Sequence, residues 1–405
     1  MKKLILSLAL VVAASTAFAQ KKVVNSADRN FKKGDLEAAM NDIQAALENP
    51  ETMNDPNTTL VKAKILTKMF ELDEDMAAST VKTGRSALEA FDKTMSMVGN
   101  DKNSKIGKEV YKEEVPGLPD NLRPFSKMTL RNSAFNKALQ AYEEDDYSMS
   151  YEFFNLVSEI DPADTTAHFN AGYLAYQELG KTEDAKKHFK ALIEVPEYNK
   201  LNTYYFLIQI ASAEDQDPEQ AYKYVIAARK DFPEDKTLSE FEVQLLLQMN
   251  KMEEAMASVK EALKDDPNNS GLLLRYGYLL EQSGDLDGAL EQYKKSVEVN
   301  PDFFEGNFYT GAILLEQARK ILAEINELSD DEWEKRAPEM GMKADSYYKD
   351  AIPYFTKASE LRDGQASGEV LELLFQIHTR LKNTAEAEKY NQRLISIFGP
   401  NWMER

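Results

Sequence analysis

The stretch 270–301, SGLLLRYGYLLEQSGDLDGALEQYKKSVEVNP, decides the fold. Gly277 is small among apolar neighbours, Gly284-Asp285 interrupts the run, and Ala289, Tyr293 and Ser296 follow at helical spacing before Pro301. Two antiparallel helices are predicted. The small residues Gly277 and Ala289 let them approach closely, Tyr293 fills the space beside them, and Pro301 ends the second.

Working outward, prolines at 162, 196, 233, 267 and 301 are separated by 34, 37, 34 and 34 residues. A fixed period of this length is the mark of a repeat array. The block at 236–269 carries Val243, Asn250, Ala255, Val259 and Ala262, and that at 202–235 carries Ala221, Val225 and Ala228. Residues 131–164 carry Ala138, Asp145-Asp146, Ser150, Phe154 and Val157. In 165–196, Gly172 holds its place but Gly180, Ala185 and Phe189 fall one position late, which predicts a first helix longer by one residue. Ala27, Gly34-Asp35, Ala39, Ile43 and Ala46 fit the same frame, 58–98 is a looser pair with Ala63, Ala87 and Phe91, and 368–396 is a degenerate pair with Leu374, Ala387 and Leu394.

These blocks resemble tetratricopeptide repeats (TPRs), whose pattern is a small residue at position 8, a turn near 15, Ala at 20, a bulky residue at 24, a small one at 27 and Pro at 32. The resemblance covers most of the chain. It implies an all-α, right-handed superhelical solenoid of helical hairpins, in which each repeat buries its apolar face against its neighbours. The domain organisation expected is a leader at 1–19, TPR-like hairpins at 20–110, a connector at 111–128, the main array at 129–303, a repeat at 304–361 enlarged by an insertion, and a capping hairpin at 366–405. The connector, YKEEVPGLPDNLRPFSKM, has prolines at 116, 119 and 124, which exclude a continuing helix.

The enlarged repeat has Gly311 at position 8 and Ala351, Phe355 and Ala358 at 20, 24 and 27. Gly311 and Ala351 are 40 residues apart where 12 is usual, an insertion of 28 that falls at about 316–350. Leu314, Ala318, Ile321, Ile325 and Leu328, at spacings of 4, 3, 4 and 3, form a coiled-coil seam, so the two helices are predicted to lengthen into a hairpin. Ser329 with Glu332 reads as a capping box, Pro338 and Gly341 as an interruption of the second helix, and Pro353 as a kink in it. Trp333, Met340 and Met342 near the tip are candidate contacts of a docking arm; a tolerated insertion at a turn is the plainer reading.

The resemblance also implies that the first helices line a concave surface. Position 5 holds Phe135, Phe169, Phe206, Glu240, Leu274 and Phe308, position 9 holds Leu139, Tyr173, Ile210, Gln244, Tyr278 and Ala312, and Tyr142 and Tyr176 stand at position 12. None of the twelve residues at positions 5 and 9 is Lys, Arg or Asn, so a clamp for a peptide's terminal carboxylates, which needs donors there, is not expected. The candidate groove is aromatic and suits an amphipathic or extended apolar segment of a partner. Packing between adjacent first helices explains the same aromatics equally well.

The opening residues MKKLILSLALVVAASTAFAQ have two lysines, a short apolar run and Ala17-Phe18-Ala19, the order of a cleaved secretory leader. Without cysteine there is no lipid attachment and no disulfide. A periplasmic or secreted bacterial protein is expected, with partners in the cell envelope and no insertion into the membrane after cleavage. The formal charge of −20, with no basic block, disfavours nucleic acid.

Motifs for chemistry are weak. Ser79-Thr80-Val81-Lys82 overlaps Lys82-Thr83-Gly84, tags that lie far apart in penicillin-interacting serine enzymes. Asp266, Asn268, Ser270 and Gly271 imitate the start of a calcium loop, but its twelfth position is Gly277, not Glu. Only His168, His188 and His378 occur, without metal-ligand spacing, and they read as surface or half-buried. No cofactor, metal or catalysis is therefore expected. The function implied is an interaction scaffold of the envelope; a carbohydrate-binding or envelope-assembly accessory role is the alternative.

Overall fold

The computed structural model describes residues 22–115, 117–119 and 122–404. The leader expected at 1–19 and Pro116 of the connector lie outside them. The described residues form helices joined by short turns, with no strand among them, and consecutive helices pack in antiparallel pairs of the TPR type. The chain forms two compact units, up to Ile210 and from Ala211 onward.

In the first unit, α1 (22–33) and α2 (Leu36–Glu48) precede α3 (Pro56–Leu72), α4 (Ala78–Met97) and the short α5 (Lys105–Val110). After the connector come α6 (Lys127–Glu143), α7 (Tyr147–Ile160), α8 (Thr165–Gln177), α9 (Thr182–Ile193) and α10 (Leu201–Gln209). The serine tags fall within the single helix α4, where the Thr83 hydroxyl donates to Ser79 O at 3.1 Å.

The connector does not divide this unit. The described part of 111–126 contains no α-helix, as its prolines require, but α3 and α4 pack directly on α6 and α7. Arg123 pairs with Glu71 at 2.6 Å and Glu114 at 2.5 Å, and Arg85 bridges α4 to Glu152 and Glu159 of α7 at 3.1 Å each. Phe125 meets Phe31 edge-on at 5.3 Å. Ion pairs, ring packing and helix contacts thus tie the two sides of the connector together.

The second unit contains α11 (Pro218–Asp231), α12 (Lys236–Gln248), α13 (Met252–Asp265), α14 (Ser270–Gln282), α15 (Leu286–Val299), α16 (Phe304–Asn326), α17 (Asp330–Leu361), α18 (Gly368–Arg380) and α19 (Thr384–Phe398). The junction that imitates a calcium loop joins two hairpins, with Asn269 accepting from Leu272 N to cap α14.

The repeat pattern has a direct steric basis. A Cβ on Gly277 would lie 2.5 Å from the Tyr293 ring, on Gly172 2.7 Å from Phe189, and on Gly311 2.8 Å from Phe355. Each bulky residue of a second helix therefore sits flat against the glycine of the first. In the 131–164 repeat, where Ala138 and Ser150 meet instead, the Ser150 hydroxyl donates to Ala138 O at 2.9 Å.

Three local expectations are corrected. Helix α8 has 13 residues, as do α12 and α14; the extra residue widens the turn at 178–181, where Gly180 takes φ +62°. Helix α17 runs for 32 residues, so Pro338 and Gly341 do not interrupt it, and it continues past Pro353. Both prolines are exposed, and the residues four before them, Glu334 and Lys349, are exposed too, so water can satisfy the carbonyls each ring frees. Ser329 precedes α17, but its hydroxyl bonds the Glu332 carboxylate at 3.0 Å instead of closing a capping box on the backbone.

Candidate functional site

The aromatic residues at first-helix positions divide between the two units. In the first, Phe206 is the centre of a ring cluster. It stacks on Phe189 at 4.9 Å and 2°, and takes edge contacts from Phe169, Tyr173 and Tyr176 at 6.1–6.2 Å. These four first-helix residues are half-buried, Phe135 meets Phe154 at 5.6 Å, and Ile210 is fully buried. Ile210 is thus removed from any contact surface, because its side chain is already enclosed. Leu139 and Tyr142 remain open, 43% and 48% exposed.

The cluster makes Phe206 a packing residue first. Phe206→Ala is expected to cost about 2–3 kcal/mol, below the ~3–5 kcal/mol of a fully buried aromatic because the ring is only half-buried. The Tyr142→Ser change leaves stability within about 0.5 kcal/mol. Thermal melts of the two variants check both; equal losses would contradict this division.

In the second unit, Leu274 and Tyr278 line a cleft of ≈ 140 Å³ together with Leu247, Arg275, Tyr293 and Tyr309. Leu247, Leu274 and Tyr278 come from first helices α12 and α14, as does Tyr309 from α16. Arg275 and Tyr309 stand at position 6, which a reading of positions 5 and 9 passes over. Phe308 is turned away into the core, against Phe355 at 6.1 Å and Phe304 at 5.9 Å. Tyr293 donates to Glu281 at 2.7 Å, and burial pushes its hydroxyl far above the ordinary tyrosine range.

The insertion is a helical hairpin built from the ends of α16 and α17. Leu314 and Ala318 of the seam are buried, while Ile321, Ile325 and Leu328 are half-buried. Of the three proposed arm contacts, Trp333 is 53% and Met342 68% exposed, whereas Met340 is half-buried.

The structure brings two histidines together that the sequence keeps 20 residues apart. His168 Nδ1 and His188 Nδ1 lie 3.0 Å apart, and His168 Nε2 faces Pro162 O at 3.2 Å. Both are buried rather than superficial, because α8 and α9 turn them toward each other. Since His168 Nε2 faces a carbonyl, it carries a proton in the neutral ring, and its Nδ1 accepts from His188. Burial, then the neighbouring His168, holds His188 down to about 4. No group of three or more acidic or histidine side chains suited to a metal occurs among the described residues.

Tetratricopeptide repeat models match residues 165–199 and 246–305. Over 210 residues the chain is 26% identical to Protein O-mannosyl-transferase TMTC3 of Homo sapiens, covering 45% of this chain and 22% of that protein. The chain thus spans about a fifth of the length of the curated relative it matches. Among solved structures, it is similar to the C-terminal part of a TPR repeat-containing protein from Cytophaga hutchinsonii, 13% identical, covering 67% of this chain and 98% of that one, with a TM-score of 0.48. It is also similar to YrrB, described as a TPR protein with an unusual peptide-binding site, 18% identical over 43% of this chain and 88% of that one, with a TM-score of 0.37.

Proposed function

We propose that this chain, which carries tetratricopeptide repeats at 165–199 and 246–305, is a non-catalytic scaffold that binds partner proteins on its first helices. One observation carries the reading. Among the described residues of the array outside the inserted hairpin, the exposed aromatics Tyr142, Tyr278 and Tyr309 all lie on first helices, whereas Phe154, Phe189, Tyr293 and Phe355 of the second helices are 2% exposed or less. Exposed tyrosines with an apolar body and a polar tip are favoured at protein interfaces. The leader-like opening sequence supports a place in the bacterial envelope, and no described helix is long and apolar enough to cross a membrane. The transferase relative does not extend to this chain a catalytic reading, because its match is confined to 22% of that protein.

Photo-crosslinkable residues at Tyr142, Tyr278, Trp333 and, on the second helix α15, the exposed Lys295 test the proposal in cells. A discrete adduct from Tyr142 or Tyr278 and none from Lys295 is expected. An adduct from Trp333 alone would assign binding to the inserted hairpin instead, and the same adducts from all four positions, or none, would overturn the scaffold.

A further inference from the structure

One wall of the cleft in the second unit is lined by Arg275, whose guanidinium lies beyond the apolar pocket without an ion-pair partner. Arg275 forms no hydrogen bond or ion pair among the described residues, although its side chain helps line the cleft. Glu240 acts on it only through its field; the Glu240 Oε1 accepts from Asn269 Nδ2 at 2.6 Å. A half-buried guanidinium without a protein acceptor favours a carboxylate that can reach it.

The geometry sets what would complete it. The cleft's ≈ 140 Å³ is close to the ~150 Å³ of an apolar cavity that accepts benzene, so one Phe- or Leu-sized side chain fills it. The Arg275 side chain runs back toward the start of α14, with Nη1 3.1 Å from where a Cβ on Gly271 would stand. From Gly271 to the middle of the Leu274–Tyr278 wall is about 7 Å along a helix rising 1.5 Å per residue. Side chains two residues apart in an extended chain share one face at about 7 Å. Tyr278 and Tyr309 of the cleft are 36% and 38% exposed, so an extended segment can lie across it.

We infer that this cleft binds an extended segment of a partner protein that presents a large apolar side chain and, two residues along on the same face, one Asp or Glu carboxylate. The apolar group enters between Leu274, Tyr278 and Tyr309. The carboxylate accepts from the Arg275 guanidinium, a charge-assisted pair strengthened by the apolar wall. A second carboxylate is disfavoured, because Glu240 stands beside the same arginine and the position-5 and position-9 residues here, Glu240, Gln244, Leu274 and Tyr278, add no cation. This rests on the first-helix interaction reading and names the chemistry it would recognise.

The test titrates acetyl-Phe-Ala-Glu-amide, acetyl-Phe-Ala-Gln-amide and acetyl-Phe into the full chain, followed by NMR. Saturable binding of the Glu peptide in the millimolar range is expected, with the Gln peptide at least ten-fold weaker and the difference shrinking as salt is added. Arg275→Gln should erase the Glu/Gln difference without lowering Tm, and Tyr309→Ser should weaken both peptides alike. Equal binding of the Glu and Gln peptides, or discrimination that survives Arg275→Gln, would overturn the inference. Tighter binding of acetyl-Phe than of the Glu peptide would overturn it too, in favour of a chain terminus. If no peptide binds while the crosslinks at Tyr142 or Tyr278 persist, this cleft is refuted and the scaffold stands; peptide binding without any crosslink refutes the scaffold alone.

Discussion

Replacing Phe355 with Ala is expected to destabilise the second unit by about 3–5 kcal/mol, the range for removing a fully buried aromatic ring. Phe355 is 0% exposed and presses on Gly311. It also belongs to a core shared by α16, α17 and α18, with Leu314, Leu371 and Leu374. The cavity it leaves cannot be filled by sliding the helices together, because Ala351 and Ala358 already hold α17 close to its neighbours. Trp402 is a convenient reporter. It is 7% exposed in the same core, and the chain's other tryptophan, Trp333, is already 53% exposed and changes little on unfolding. Urea titration followed by tryptophan emission measures the loss; a change below about 1 kcal/mol would mean that the core has collapsed around the site.

Acidification is the second large effect. The unfolded His188 takes up a proton near its ordinary value of 6.5, whereas the folded one resists until about 4, because burial and then His168 and Lys187 oppose its charge. The unfolded state therefore binds more protons in this window, and stability falls with pH from about 6.5 to about 4, by roughly 3 kcal/mol, with no further loss from this group below it. His168 is lowered in the same direction, first by burial. The groups facing the pair are Asp184 and Lys187 on α9, Asp161 and Asp164 before and at the cap of α8, and Tyr151 of α7, whose ring edge meets His188 at 6.2 Å under Lys181. The carboxylates soften the penalty without removing it. Circular-dichroism melts between pH 7 and 4 should show the loss, and His188→Gln, which cannot titrate, should flatten it. A slope unchanged in that variant would assign the acid sensitivity elsewhere.

The contrast between these two sites shows what was legible in the sequence. Gly311 and Phe355 were readable as a pair across 44 residues, because a small residue at one phase and a ring at another recur in repeat after repeat. The 28-residue insertion was readable as a departure from that phase. His168 and His188 were not, since their meeting depends on the rotation of α8 against α9, which no periodicity encodes. Arg275 was missed for a related reason: it stands at position 6, and only the neighbouring Tyr309 and Leu247 make its side chain part of a wall. Pro338 misled because its usual cost depends on whether water reaches the freed carbonyl, a property of exposure and not of residue type. The groove aromatics were placed on the right helices, yet Phe206 stacks inward while Tyr142 stays open, and composition alone does not separate the two.

The reach of Phe125 back to Phe31 has a consequence for how the chain acquires its structure. Most helices find their partners among immediate neighbours, contacts that close short loops and form quickly. The cluster of Ala27, Phe31, Ala39, Ile43 and Ile65 is different, because Phe125 completes it from 94 residues downstream of Phe31. A chain emerging from its N-terminus therefore carries an open apolar face on α1 and α2 until the connector arrives to close it. During that interval the segment is at its most exposed to holding factors and to misassociation, and the last strap to be made secures the first helices to appear.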